Sequence, residues 1–162
     1  MSLVLYRIDD RLIHGQVVVG WGQPLDVGFI VLVDESVAAS DWEQELYRMG
    51  VPMEIDVYFH DVNGAVEALP GYRADPRRGL LLTGDIETMQ RLVDRDGAIT
   101  AVNLGGIHHK AGRTQRMRYV FLTEEEADAL RRMSTAGVTI TAQDVPTARP
   151  TPLHDVLSGA TL

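Results

Sequence analysis

The chain is 162 residues long, 45% hydrophobic and 23% charged, a composition that excludes disorder and collagen-like repeats; at this length one domain can bury roughly two-thirds of its unfolded surface. It contains no cysteine, which removes disulfides, thiolate zinc sites and cysteine nucleophiles together. Fifteen basic against twenty-three acidic residues leave a formal charge of −8, which repels phosphate backbones and argues against a general nucleic-acid binder.

The first residues reach a charge at Arg7 without the basic start and long apolar run of a signal peptide, and no apolar stretch approaches membrane-spanning length. A cytoplasmic location is therefore expected. Short β-branched or leucine-rich runs then recur along the chain: 3–8, 29–33, 54–59, 80–83, 100–104, 119–122 and 138–142. Several of them, such as Phe29 to Val33 and Gly79 to Leu82, are apolar throughout, as strands covered on both faces should be. The pattern predicts an α/β fold, three-layer, with a mainly parallel sheet of about six strands and helices on both faces.

Between the strands, Val17, Val18, Val19 and Trp21 read as the buried side of a first helix. Ser36 is a candidate N-cap for a second, with Ala38, Trp42, Leu46 and Met49 at helical spacing and Gly50 as a stop. Asp85 precedes a stripe of Ile86, Met89 and Val93, and Thr123 with Glu126 forms a capping box before Ala127, Leu130 and Met133. Gly71 to Gly79 reads as an exposed connection and the end from Pro146 onward as a wrapped tail. No boundary or repeat divides the chain, so residues 1–162 are expected to form one domain.

Chemistry concentrates where the first strand ends, in Arg7-Ile8-Asp9-Asp10-Arg11-Leu12-Ile13-His14-Gly15-Gln16. Ligands of parallel α/β sheets collect outside the carboxyl ends of strands, where the following helices offer free amides. A neutral histidine there can accept a phosphoryl group. Arg11 could pair with its oxygens, Asp9 or Asp10 could orient the ring, and the amides of Gly15 and Gln16 could add donors. A second region, Gly105 and Gly106 followed by Lys110, Gly112, Arg113 and Thr114, is glycine-rich but lacks the spacing and the lysine of a P-loop, so no nucleotide site is expected. Adjacent His108 and His109 point to opposite sides of an extended segment and have no completing ligands, so no metal site is expected. His60 and His154 are assigned no role.

The segment from Arg7 to Val17 resembles the active-site segment of the IIB components of the mannose, fructose and sorbose family of the bacterial phosphoenolpyruvate-dependent sugar phosphotransferase system. Residues Ile99 to Gly106 and Gly112 to Gln115 are similar to a second region of that family. Thr83-Gly84-Asp85, where the family often has Thr-Asn-Pro, and the His108-His109-Lys110 run depart from its pattern. The resemblance implies that His14 takes a phosphoryl group on Nδ1 from a IIA protein and passes it to a sugar at membrane IIC and IID subunits, peripheral to which the chain would sit. It implies His14, Arg11 and Asp10 as catalytic residues, and Asp9, Gly15, Gln16, Gly105, Gly106, Lys110 and Arg113 as phosphate- or partner-binding ones. It implies no cofactor and no metal, a IIA partner in trans and a sugar of the mannose, fructose, sorbose or amino-sugar class, and it leaves a homodimer open. The alternative is an orphan or regulatory module of the same fold that reports phosphorylation state without sugar transport.

Overall fold

A computed structural model describes residues 2–162. In chain order its elements are β1 (Leu3–Ile8), a π-type helix (Gln16–Gly22), β2 (Val27–Val33), α1 (Glu35–Ala38), α2 (Asp41–Met49), β3 (Asp56–His60), α3 (Val62–Ala74), β4 (Arg78–Thr83), α4 (Ile86–Arg95) and β5 (Ala101–Leu104). There follow β6 (Thr114–Met117), β7 (Val120–Leu122), α5 (Glu124–Thr135), β8 (Thr139–Ala142), β9 (Thr151–Pro152) and α6 (Leu153–Ser158). The main sheet has the order β3-β2-β4-β1-β5-β8-β9. Its pairs are parallel except β8 with the two-residue β9.

The continuous apolar runs have a direct structural reading. In β2, Phe29, Val31 and Val33 point into one core with Val62 and Leu69 of α3, Met89 and Leu92 of α4, and Leu130 of α5. Ile30 and Leu32 point into a second core with Val17, Val18 and Val37 on the opposite face. Period-two alternation therefore buries every side chain of the strand's center. Each such residue contributes about 1.5–3 kcal/mol of transfer free energy, so the three-layer arrangement follows from the strand sequences. The helix ends match their caps: Asp85 accepts from the Thr88 amide at 2.7 Å, and Thr123 and Glu126 complete their reciprocal box.

Several expectations are revised. The run 119–122 is not a strand of the main sheet: β7 pairs antiparallel with β6 in a separate hairpin. Val120 and Leu122 still enter the core, which explains the misleading pattern. The main sheet has seven strands because the tail adds β9 at its edge, where Pro152 needs no ladder donor. In the first helix, Val17, Val18 and Trp21 are buried but Val19 is exposed. The wider π-type turn brings residues five apart onto one side. Ser36 does not cap a long helix. Asp34 caps the four-residue α1, Ser40 caps α2, and Ser36 donates its hydroxyl to Asp34. Helix α3 continues through Pro70 and Gly71 to Ala74, held by Leu69 and Tyr72 against the core, so the exposed connection is confined to residues after it.

Candidate functional site

Strand β1 lies between β4 and β5, and the loop leaving its carboxyl end is tied to both neighbours: the Asp9 amide donates to Thr83 O at 2.9 Å and the Asp10 amide to Gly106 O at 2.9 Å. Arg7, one residue before the end of β1, is fully buried. Its guanidinium donates to Asn103 Oδ1, to the Gln143 carbonyl at 2.8 Å and to Asp9 Oδ2 at 3.3 Å, and it stacks 4.7 Å above the Trp21 ring. Burial lowers the Arg7 pKa below its usual value, and the Asp9 charge only partly offsets this. Gly105 permits the arrangement: a side chain there would collide with Arg7 Nη2 and come within 2.9 Å of Asp9 Oδ2.

The Asp9 side chain is 1% exposed and stands between Arg7 and His14, whose Nε2 lies 3.3 Å from Asp9 Oδ1. Burial opposes ionisation of Asp9, but the His14 ring, the Arg7 charge and the Arg11 amide outweigh it and hold its pKa below the ordinary carboxylate value. The carboxylate is not aligned for a linear hydrogen bond to Nε2. Nε2 is nonetheless a buried nitrogen, and Nδ1 makes no hydrogen bond among the described residues. The intervening loop is compact because the Leu12 amide donates to Asp9 O at 3.0 Å. Leu12 adopts a positive φ of 59°, a conformation costing a non-glycine residue of order 1 kcal/mol. Its side chain occupies the space beside Gly84, where a Cβ would come 2.7 Å from Leu12 Cδ2. The Thr83-Gly84-Asp85 departure therefore has a steric role in seating this loop.

Arg11 is half exposed; its Nη2 donates to Gln16 Oε1 at 2.8 Å, and Gln16 in turn donates to the Asp144 carbonyl at 2.8 Å. The amides of Gly15 and Gln16 have no acceptor among the described residues. A cavity of about 210 Å³ opens beside them, lined by Arg7, Asp9, Arg11, Gln16, Gly106, His108, Arg118, Tyr119 and Asp144. A larger groove of about 510 Å³ between α5 and α6 contains His154 but no comparable cluster of charge.

The carboxylate beside the His14 ring is thus Asp9. Asp10 instead holds His108, accepting from its amide and facing its Nδ1, both at 2.6 Å. Gly105 and Gly106 form the wall behind Arg7 and Asp9. Lys110 is exposed and is not among the cavity's lining residues. Arg113 is committed elsewhere: it makes two bonds to the Glu126 carboxylate at 2.9 and 2.8 Å and one to the His108 carbonyl at 2.8 Å. Sequence reasoning passed over Arg7, Trp21, Asn103, Gln143 and Arg118. A charged residue inside an otherwise apolar strand was the available signal for Arg7.

An α/β protein with a carboxylate-backed histidine at the end of its central strand is the class these features define. A family model described as the PTS system sorbose subfamily IIB component matches residues 3–162, and the chain belongs to that family of phosphotransferase components. It is 30% identical over 158 residues to the PTS system mannose-specific EIIAB component of Escherichia coli K12, covering 98% of this chain but 49% of that protein. The chain thus spans about half the length of that relative. It is 30% identical over 148 residues to the N-acetylgalactosamine-specific phosphotransferase enzyme IIB component 1 of the same organism, covering 90% of this chain and 92% of the relative. Among solved structures it is similar to manxB from Thermoanaerobacter tengcongensis, with a TM-score of 0.87 and 29% identity over 96% of this chain and 95% of the other.

Proposed function

We propose that the chain is a single phosphoryl-carrier domain. His14 accepts a phosphoryl group from the phosphohistidine of a IIA protein and transfers it to a sugar of the mannose, fructose, sorbose or amino-sugar class at membrane IIC and IID subunits. The observation that carries this reading is the orientation of the His14 ring: Nε2 is buried against the ionised Asp9, and Nδ1 is left free. With the proton on Nε2, the Nδ1 lone pair attacks phosphorus in line as the donor's N–P bond breaks, and the donor imidazole keeps that electron pair. In the second transfer a sugar hydroxyl attacks, the Nδ1–P bond breaks, and the hydroxyl proton passes to a base outside His14. Asp9 favours the Nε2–H tautomer and balances the charge that builds on the ring.

Such transfers need alignment and positive charge more than covalent machinery. Arg11 supplies that charge at the cavity, and the unpaired amides of Gly15 and Gln16 are suited to phosphoryl oxygens. No helix among the described residues is long and apolar enough to cross a membrane, which agrees with a cytoplasmic component working beside membrane subunits. The test is incubation with phosphoenolpyruvate, the general phosphotransferase proteins and a IIA donor, followed by intact mass and acid-lability measurements. One acid-labile phosphoryl group on the wild type and none on His14→Ala is the expected result. Absence of phosphate on the wild type beside an active donor would reject the carrier role.

A further inference from the structure

The β6–β7 hairpin stands apart from the main sheet, yet its tip reaches the His14 site. Its two turn residues, Arg118 and Tyr119, both line the cavity of about 210 Å³ beside Arg11 and Gln16. The tip is fixed to the glycine loop: the Ile107 amide donates to the Tyr119 carbonyl at 2.9 Å and the Phe121 amide to the Ile107 carbonyl at 2.9 Å, while the Tyr119 ring packs on the core. The phenol is therefore held in place. Its hydroxyl has no hydrogen-bond partner among the described residues, although it stands in the field of Asp144, Arg7 and Arg118. A tyrosine hydroxyl withdrawn from water ordinarily finds a partner. Burial, with Asp144 adding to it, raises the Tyr119 pKa above the usual tyrosine value, so the group stays a proton donor at neutral pH.

Arg7, Arg11, His108 and Arg118 line the same cavity. Arg7 is committed to Asn103, Gln143 and Asp9, and His108 to Asp10; Arg11 and Arg118 are free to turn. The Arg118 side chain is 83% exposed and makes one contact, to Asp144 Oδ2 at 3.0 Å. Exposed ion pairs of this kind are worth little, whereas guanidinium bonds to phosphate are charge-assisted and bidentate. Asp144 also accepts from Gln16, the partner of Arg11, so the two arginines approach the cavity from opposite ends of one chain of bonds. Asp9 lines the cavity and lies 3.3 Å from the His14 ring. A volume of this size is only a few water diameters across, so a group carried on that ring meets the residues that line it. A phosphoryl group carries about two negative charges near neutral pH, and Arg11 offsets one. Resting on the carrier role argued above, we propose that the hairpin tip completes the phosphoryl-binding site: the Tyr119 hydroxyl donates to a phosphoryl oxygen on His14, and the Arg118 guanidinium turns from Asp144 to a second oxygen.

The test measures how the phosphoryl group divides at equilibrium between a IIA donor and the whole chain, read by intact mass at alkaline pH, together with the phosphorus NMR signal of phosphorylated His14. Tyr119→Phe keeps the ring and removes one hydroxyl, so melting should stay unchanged. The partition should move about 10-fold toward IIA, the scale of one hydrogen bond to a charged group, and the phosphorus resonance should shift. Arg118→Gln should move the partition in the same direction by a similar factor, and Arg118→Lys by less. An unmoved partition in Tyr119→Phe or in Arg118→Gln overturns the proposal. A raised KM for phosphorylated IIA with an unmoved partition overturns it in favour of donor docking, because docking alone affects both directions of transfer alike. These outcomes are read on a wild type that carries phosphate on His14. A wild type left unlabelled beside an active donor rejects the carrier reading itself, and this inference with it.

Discussion

Replacing Arg7 with leucine tests the center of the site. The substitution keeps an apolar stem in β1 but removes the counterion of Asp9, whose side chain is 1% exposed, and strips a donor from Asn103 Oδ1 and from the carbonyl of Gln143. Removing one partner of a buried ion pair costs about 3–5 kcal/mol because the other charge is left uncompensated. In a domain of this size that corresponds to a fall in Tm of about 6–20 °C. The pH dependence gives the sign. Without Arg7, the buried Asp9 becomes harder to ionise, so its folded pKa rises above the unfolded value. The penalty is then full near neutral pH and shrinks as pH falls toward the carboxylate range. In the wild type the folded Asp9 pKa is depressed below 3.8, so its contribution is present at neutral pH and is lost only as pH falls below that value. Urea denaturation of both proteins at neutral and mildly acidic pH measures this directly. A loss under about 1 kcal/mol at neutral pH, or a loss that does not shrink on acidification, would refute the account of Arg7 as the buried anchor of Asp9.

Arg11→Ala, at a half-exposed loop position, should leave the melting temperature unchanged while slowing phosphoryl transfer about 10²-fold or more, read by rapid-quench labelling. Arg113→Ala should do the opposite: losing its two bonds to Glu126 costs about 2–4 kcal/mol of stability, with near-normal transfer by the folded fraction. Gly84→Ala should displace Leu12, whose Cδ2 would lie 2.7 Å from the new Cβ, and destabilise by about 1–3 kcal/mol; Gly84→Ala combined with Leu12→Ala should recover part of that, as denaturant titration would reveal. Burial depresses the His60 pKa below 6.5, so the unfolded chain binds the proton more readily. Stability is therefore full above about pH 6.5 and falls as pH drops through the lower folded value. His60→Gln should flatten that part of the pH-stability curve, even though it also disturbs the 2.6 Å bond to Tyr72.

The layers of the fold were legible because strands with both faces covered must be apolar throughout, and β2 and β4 are. The capping residues Asp85 and Thr123 were legible because unsatisfied amides at a helix start demand such side chains. What could not be read was how far a period extends its meaning. Trp42, Leu46 and Met49 have the spacing of a buried stripe, yet the core behind α2 is filled from Tyr47, and periodicity does not say which face finds a partner. Val120 and Leu122 have the look of a core strand and do enter the core, but from a hairpin, because burial and sheet membership are separate properties. Arg113 carries a phosphate- or partner-binding role by resemblance alone. The side chain it bonds, Glu126, lies thirteen residues away on α5 and was assigned only to its capping box.

One site distinction was available from geometry alone. Successive residues leaving a strand point to opposite faces, so Arg7 and Asp9 share a side while the Asp10 side chain turns away from them to His108. That places the buried cation and the His14 carboxylate in a single line: Asn103 and the residue 143–144 carbonyls fix Arg7, Arg7 fixes Asp9, and Asp9 bears on the ring. Asp10 and His108 form a superficially similar pair at 2.6 Å, but both are reached by solvent and no buried cation backs the carboxylate. The two histidine–carboxylate pairs therefore differ in what constrains them. The first is held by the strands of the sheet, and the second only by the loop it closes. A phosphoryl carrier must present one nitrogen repeatedly in the same direction to two different partners, and only the first pair is built on elements rigid enough to do so.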